Sequence, residues 1–254
     1  MMKLEICVDS VESAVAAARG GAGRIELCSA LSEGGITPSA ELIHAVRTAV
    51  DIDLFVIIRP RGGGFVYSEH ELAVMASDIA DAKAHKADGV VIGLLTEEGL
   101  VDQKNTRRLI EMAKPLQTTF HRAFDECEDL DRALEDVIAC GADRILTAGG
   151  KTDALHGAAR IARLQKLARS RISIMAGGRI RASNARAIAQ ETGVSEIHTS
   201  LSKEAEGMPS DGGGEVGMSK ESHGGFRVME QDVRALKSVL DSLLAGVDSS
   251  RLLH

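Results

Sequence analysis

Two stretches of this chain end in the same phase. Leu4-Glu5-Ile6-Cys7 and Arg24-Ile25-Glu26-Leu27-Cys28 each place a cysteine two residues after a glutamate. Thiolates are soft ligands, so Cys7 and Cys28 are candidates for Cu(I). The bland alternative is that each is a small buried apolar side chain. No C-x-x-C or H-x-x-x-H spacing occurs, which argues against structural zinc. Cys127 and Cys140 flank the fifth helical pattern and read as structural or solvent-facing. A second group suits acid–base and anion chemistry. His121 titrates near neutrality, and the Arg122 beside it offers a fork that matches carboxylate or phosphate. Arg59-Pro60-Arg61-Gly62-Gly63-Gly64 adds two guanidinium groups and a loop rich in free N–H groups. Gly177 and Gly178 follow the seventh strand, where many barrels bind phosphate through loop amides, although a tight turn explains the pair equally simply.

Short β-like runs alternate with longer helical patterns and would position these groups. Strands are expected near Leu4–Val8, Arg24–Cys28, Leu54–Arg59, Gly89–Gly93, Leu116–His121, Arg144–Thr147, Ile172–Ala176 and Glu196–His198. Each is followed by a helix, with Asp9 as cap of the first and Thr37 as cap of the second, ahead of Pro38. The remaining helices are expected near Ser68–His85, Asp102–Lys114, Leu130–Cys140, Asp153–Ser170, Arg181–Thr192 and Glu230–Ala245. Parallel strands joined by helices form an open sheet or a closed barrel. Eight regular units without a second-domain linker favour an α/β fold of the (β/α)8 barrel type, a TIM-type single domain over residues 1–254. Residues 201–228 break the pattern with many turn formers, and they read as a long flexible loop after strand eight, over the barrel mouth.

Side chains on a barrel strand alternate between the helix layer and the interior. Leu4, Ile6 and Val8 suit the helix side, which turns Glu5, Cys7 and Asp9 inward. Ile25 and Leu27 face outward, leaving Arg24, Glu26 and Cys28 inside. Arg59, His121 and His198 arrive from the third, fifth and eighth strands. Buried charge must be paired or must bind something. A closed ion-pair network linking Glu26 to Arg24 or Arg59 would meet that need without any chemistry. Adjacent strands supply different interior layers, so the two sulfurs need not share one ion.

Composition limits the partners. The chain has 254 residues, 44% hydrophobic and 26% charged, with a net charge of −7. An acidic chain with no Trp, one Tyr and five Phe has neither the basic field nor the stacking platform of a nucleic-acid surface. The longest uncharged interior strip, residues 89–96, is far short of a membrane span, which needs about 20 apolar residues. The first residues carry no apolar leader, and four cysteines without one read as reduced thiols in a cytosol-like compartment.

Several motifs together resemble the CutC copper homeostasis protein family. They are Leu4-Glu-Ile-Cys-Val-Asp-Ser10, Arg24-Ile-Glu-Leu-Cys28, Ser32-Glu-Gly-Gly-Ile-Thr-Pro-Ser39, Ile58-Arg-Pro-Arg-Gly-Gly63, Phe120-His-Arg-Ala-Phe-Asp125 and Arg144-Ile-Leu-Thr147. The resemblance implies a cytoplasmic TIM-type barrel that forms homo-oligomers, is linked to copper tolerance and binds Cu(I), with Cys7 and Cys28 as ligands. It also implies that His121, Arg122, Arg59, Glu26 and His198 form a polar barrel mouth. Two positions depart from the family pattern: Gly64 stands where Asp is frequent, and Ala148 where Ser is frequent. Beyond residue 200 the match is poor, and Met208, Met218 and His223 could be extra soft ligands or parts of a linker. The residues themselves also support a different function, a lyase- or isomerase-like enzyme on a small anionic metabolite, phosphorylated ones included. In that reading Arg59, Arg61, Arg122, His198 and the Gly177 and Gly178 amides hold the anion, while His121 and Glu26 exchange protons beside Arg59.

Overall fold

A computed structural model describes residues 2–204 and 226–251. Eight parallel strands close into a barrel in sequence order. They are β1 (Lys3–Val8), β2 (Arg24–Leu27), β3 (Asp53–Ile57), β4 (Gly89–Ile92), β5 (Gln117–Phe120), β6 (Arg144–Thr147), β7 (Ser173–Gly177) and β8 (Glu196–Thr199). The helices are α1 (Val11–Arg19), α2 (Ala40–Ala49), α3 (Glu69–Ala84), α4 (Gln103–Ala113), α5 (Leu130–Cys140), α6 (Ala158–Ala168), α7 (Ala185–Thr192) and α8 (Glu230–Arg251). No helix among the described residues is long and apolar enough to cross a membrane.

Several boundaries differ from the sequence reading. Ser10, not Asp9, caps α1 by accepting the Ser13 N–H. Ser39, not Thr37, caps α2 through the Leu42 N–H. The Thr37 hydroxyl instead accepts the Arg59 N–H and ties the loops after β2 and β3 together. Asp153 caps a separate turn at His156, so α6 starts only at Ala158. Cys28, Arg59 and His121 lie just past the ends of their strands, on the loops of the barrel mouth. The ends of the long post-β8 segment pair as a short antiparallel ribbon, β9 (Lys203–Glu204) with β10 (Phe226–Arg227). Residues 205–225, with Met208, Met218 and His223, lie outside the described residues.

The alternation sorts the interior into two apolar layers. Leu4, Ile6, Val8, Ile25 and Leu27 join the helix side chains, Ala14 and Ala17 of α1 and Ile43 and Val46 of α2 among them. Inside the barrel, Cys7, Cys28, Phe55, Ile57 and Val91 form a separate small cluster. Beneath it lies charge. Arg24, fully buried, donates to Glu5 and to Glu196, and Arg144 donates to Glu196 from the other side at 2.7 Å. The face of the Phe55 ring packs against both guanidinium groups, 4.8 and 5.3 Å from its centre. That ring needs Gly89 on the neighbouring strand, since a Cβ there would stand 2.5 Å from it.

The ion-pair network exists around Arg24, but its other members are Glu5, Glu196 and Arg144. Neither Arg24 nor Arg59 pairs with Glu26. The parallel register puts Arg24 level with Glu5 and lifts Glu26 level with Cys7, one layer nearer the mouth.

Candidate functional site

The upper layer is built by three strands that barrel closure makes neighbours. Register sets Cys7 opposite Glu26 and Glu5 opposite His198. His198 Nδ1 lies 2.7 Å from a Glu5 oxygen and its Nε2 3.6 Å from a Glu26 oxygen. An ionised carboxylate only accepts, so Nδ1 donates to Glu5, and the second carboxylate near Nε2 favours the imidazolium. Burial opposes that charge, yet Glu26 and Glu5 outweigh it and raise the His198 pKa. Burial would likewise raise Glu5, but Arg24 and then His198 override it and hold the carboxyl at about 2. Glu26 is raised, because burial wins over its attraction to His198.

The thiols meet here. Cys7 Sγ lies 3.6 Å from Cys28 Sγ. The expectation that adjacent strands keep the sulfurs in separate layers fails because Cys28 sits past the end of β2. Its N–H bonds the Val8 carbonyl, and the chain curls its side chain back over Cys7. Cys28 is fully buried and its Sγ points at the Val8 carbonyl, whereas Cys7 faces the mouth. The hydrogen bond to Cys28, burial and the Glu26 charge together push the Cys7 thiol well above its ordinary pKa. Cys7, Glu26 and His198 also form a possible ion-holding group, with one donor atom from each within 4.8 Å of the others. A protonated His198 has no lone pair for a metal, which leaves the two sulfurs as the strongest donors for a soft ion. One ion at metal–sulfur distances of about 2.3 Å reaches both atoms of such a pair. The residues present fit Cu(I). Cys127 and Cys140, both buried, lie on the helix side, and burial raises each to about 11.

The mouth above is a cavity of about 670 Å³. Cys7, Glu26, Arg59, His121, Arg122 and His198 all line it. Their roles differ from what residue type alone suggests. The Arg59 Nη atoms are taken by the carbonyls of Glu33, Gly35 and Gly63, so this arginine clamps two loops together. Arg61 turns away to Glu71 and to the carbonyls of its own loop. Gly64 lies in that loop, and its carbonyl accepts from Arg61. Gly177 and Gly178 pack against Leu146, Ala148 and Asp153 outside the cavity lining, with Gly178 in the left-handed region at φ 110°. His121 accepts the Ala123 N–H at Nδ1, and burial, with Arg59 nearby, holds its pKa down to about 3. Gly93 makes room for that ring, since a Cβ would stand 2.3 Å from it.

Two lining residues were not singled out by the sequence reading. Asp125 accepts the Thr147 hydroxyl and the Ala148 and Gly150 N–H groups, and pairs with Arg122 Nε at 2.8 Å. Position 148 thus contributes its backbone, and the hydroxyl at this strand end comes from Thr147. Lys151 follows on the same loop. The signals in the chain were the motif that ends at Asp125 and the Gly149-Gly150-Lys151 run past strand six, in the place where barrel loops carry ligand contacts.

With this geometry in place, likeness to known proteins is informative. A model of the CutC family matches residues 2–203. The chain belongs to the CutC family. The human copper homeostasis protein cutC homolog is 50% identical over 197 residues, 78% of this chain and 72% of that protein. A CutC family protein of Chromobacterium violaceum is 42% identical over 241 residues, 94% of this chain and 98% of that one. The solved Streptococcus agalactiae CutC structure superposes with a TM-score of 0.75 at 34% identity, covering 78% of this chain and 98% of its own. The CutC match ends where β9 begins, so both thiols and the whole mouth lie inside it.

Proposed function

We propose that this CutC chain takes up Cu(I) as cargo on the paired thiols of Cys7 and Cys28 at the barrel mouth. The observation that carries this reading is the 3.6 Å separation of two soft sulfur atoms, one of them on the wall of the cavity. The copper link in the name of the human relative agrees with it. Both thiols must lose their protons to ligate, and the buried Glu26 carboxylate, within 4.8 Å of Cys7 Sγ, gives the first proton somewhere to go. Uptake should therefore release protons, and affinity should rise by about tenfold per pH unit for each proton released. Anaerobic titration against a Cu(I) chelator tests this. The wild-type chain should hold the ion and the Cys7→Ser, Cys28→Ser double variant should release it. Undiminished uptake by the double variant sinks the proposal.

The four cysteines, all free and buried, suit a reducing compartment, and the cytoplasm is the location we infer. A homo-oligomer, dimer or tetramer, completes this reading. Light scattering on the reduced protein checks it, and a monomeric mass would contradict it.

A further inference from the structure

The cavity is far larger than a copper ion requires. At about 670 Å³ it falls among sites that hold small organic molecules, roughly 300–1,000 Å³. The wall facing the thiols comes from the loops after β5 and β6, and its polar groups are not all used by the fold. The Lys151 ammonium is exposed and pairs with no described residue. Arg122 spends Nε on Asp125 and Nη2 on the Lys151 carbonyl, leaving Nη1 without a partner. The Asp125 carboxylate does not cancel these charges, because two amides, a hydroxyl and Arg122 already consume it.

Deeper in the same cavity lies an unpaired donor. His121 is 5% exposed, and its Nδ1 accepts the Ala123 N–H. The neutral ring must then carry its proton on Nε2, and that atom has no hydrogen-bond partner. The Phe65 ring stands between His121 and Arg59, whose buried Nε is unpaired as well. Buried donors are nearly always satisfied, so two orphans beside one cavity point to an absent acceptor.

We propose that the barrel mouth is also a binding site for a compact organic oxyanion bearing a neighbouring carbonyl. Lys151 and Arg122 take the charged group, whether carboxylate or phosphate ester, and His121 Nε2–H donates to the carbonyl oxygen. Copper chemistry needs none of these residues, so this site stands or falls independently of the thiol pair.

The test is calorimetric, on reduced, metal-free full-length protein, with pyruvate as the carboxylate probe and dihydroxyacetone phosphate as the phosphate probe. Propionate, which lacks the carbonyl, is the control. At least one carbonyl probe should bind in the millimolar range or tighter, and better than propionate. His121→Asn keeps an acceptor for the Ala123 N–H but withdraws the Nε2 donor. It should weaken the bound probe by about tenfold, the worth of one hydrogen bond. Lys151→Met, at an exposed position, should weaken the same probe by about threefold or more, as for a solvent-exposed charge. Failure of both carbonyl probes to bind overturns the proposal, as does wild-type affinity in either variant. Should His121→Asn not fold, the 15N spectrum of the wild-type ring decides instead. The Nε2 resonance must move when the probe is added, and a stationary signal means that only water fills the site. Cu(I) titration of both variants should match the wild type, which separates this outcome from any failure of the copper reading.

Discussion

The Cys7 thiol sits among groups that all oppose its ionisation: a second thiol at 3.6 Å, a dry environment and the negative charge of Glu26. A resting site of this kind stores protons and yields thiolate only when a cation replaces them. Nucleophilicity of a cysteine follows its thiolate fraction. Iodoacetamide at pH 7.5 should therefore alkylate native Cys127 and Cys140 about a hundredfold more slowly than the same residues in urea, as expected for pKa values of about 11 against an ordinary 9, and native Cys7 should also be slowed. Peptide mass spectrometry over time reads this, and fast native labelling of Cys7 would show that its surroundings favour the thiolate. His121 illustrates the same dependence on setting. Its type suggests a titrating acid–base group, whereas burial and Arg59 keep it neutral and make it a fixed hydrogen-bond donor.

Strands β1, β2 and β8 meet through one guanidinium. Arg24 joins Glu5 of β1 to Glu196 of β8 and covers Phe55 of β3. Replacing it by Met keeps most of the volume but strands buried carboxylates. Removing one partner of such a group costs about 3–5 kcal/mol. Urea unfolding of Arg24→Met should show a loss of that size, and adding Glu5→Gln should restore part of it. A loss under about 1 kcal/mol would mean that water reaches the barrel floor. The pairing also explains why the strand reading found the right residues with the wrong partners. Alternation along each strand turned Glu5, Arg24 and Glu26 inward, but only the register between strands placed Arg24 beside Glu5 and Glu26 beside Cys7. The caps misread at Asp9 and Thr37 fail for a related reason. Ser10 and Ser39 stand immediately before their helices, and the Thr37 hydroxyl is claimed by a loop 22 residues away.

Across the whole molecule these buried groups set an acid limit. The folded pKa of His121 is about 3 against an ordinary 6.5, so the unfolded chain takes up a proton first as the pH falls below about 6.5. The Glu5 pKa is lowered to about 2 from 4.5, which adds a second loss below about pH 4.5. His198 acts in the opposite sense. Its raised pKa contributes stability below about 6.5 that is lost as the pH rises through the folded value. Stability should therefore peak close to neutrality and fall by up to about 1.4 kcal/mol per pH unit per proton on the acid side. Urea midpoints from pH 4.5 to 8.5 read the curve, and His121→Asn should flatten it between about 6.5 and 4.5. The raised Glu26 pKa opposes this trend just above pH 4.5, so the variant is the deciding comparison: a His121→Asn profile identical to the wild type between about 6.5 and 4.5 would contradict the buried, neutral His121.

The order of eight strand–helix units, the outward apolar set Leu4, Ile6, Val8, Ile25 and Leu27 and the inward polar set were all legible along the chain, because they depend on local periodicity and on the need to bury aliphatic surface. The family motifs were legible too, and they fall on strands β1, β2 and β6 and on the mouth loops. What the linear chain did not contain is distance. Closure of β8 onto β1 sets His198 beside Glu5 across 193 residues, the turn past β2 brings Cys28 onto Cys7, and loop carbonyls occupy both Nη atoms of Arg59. Those contacts follow from strand stagger and barrel closure, which every strand determines jointly and no single segment encodes.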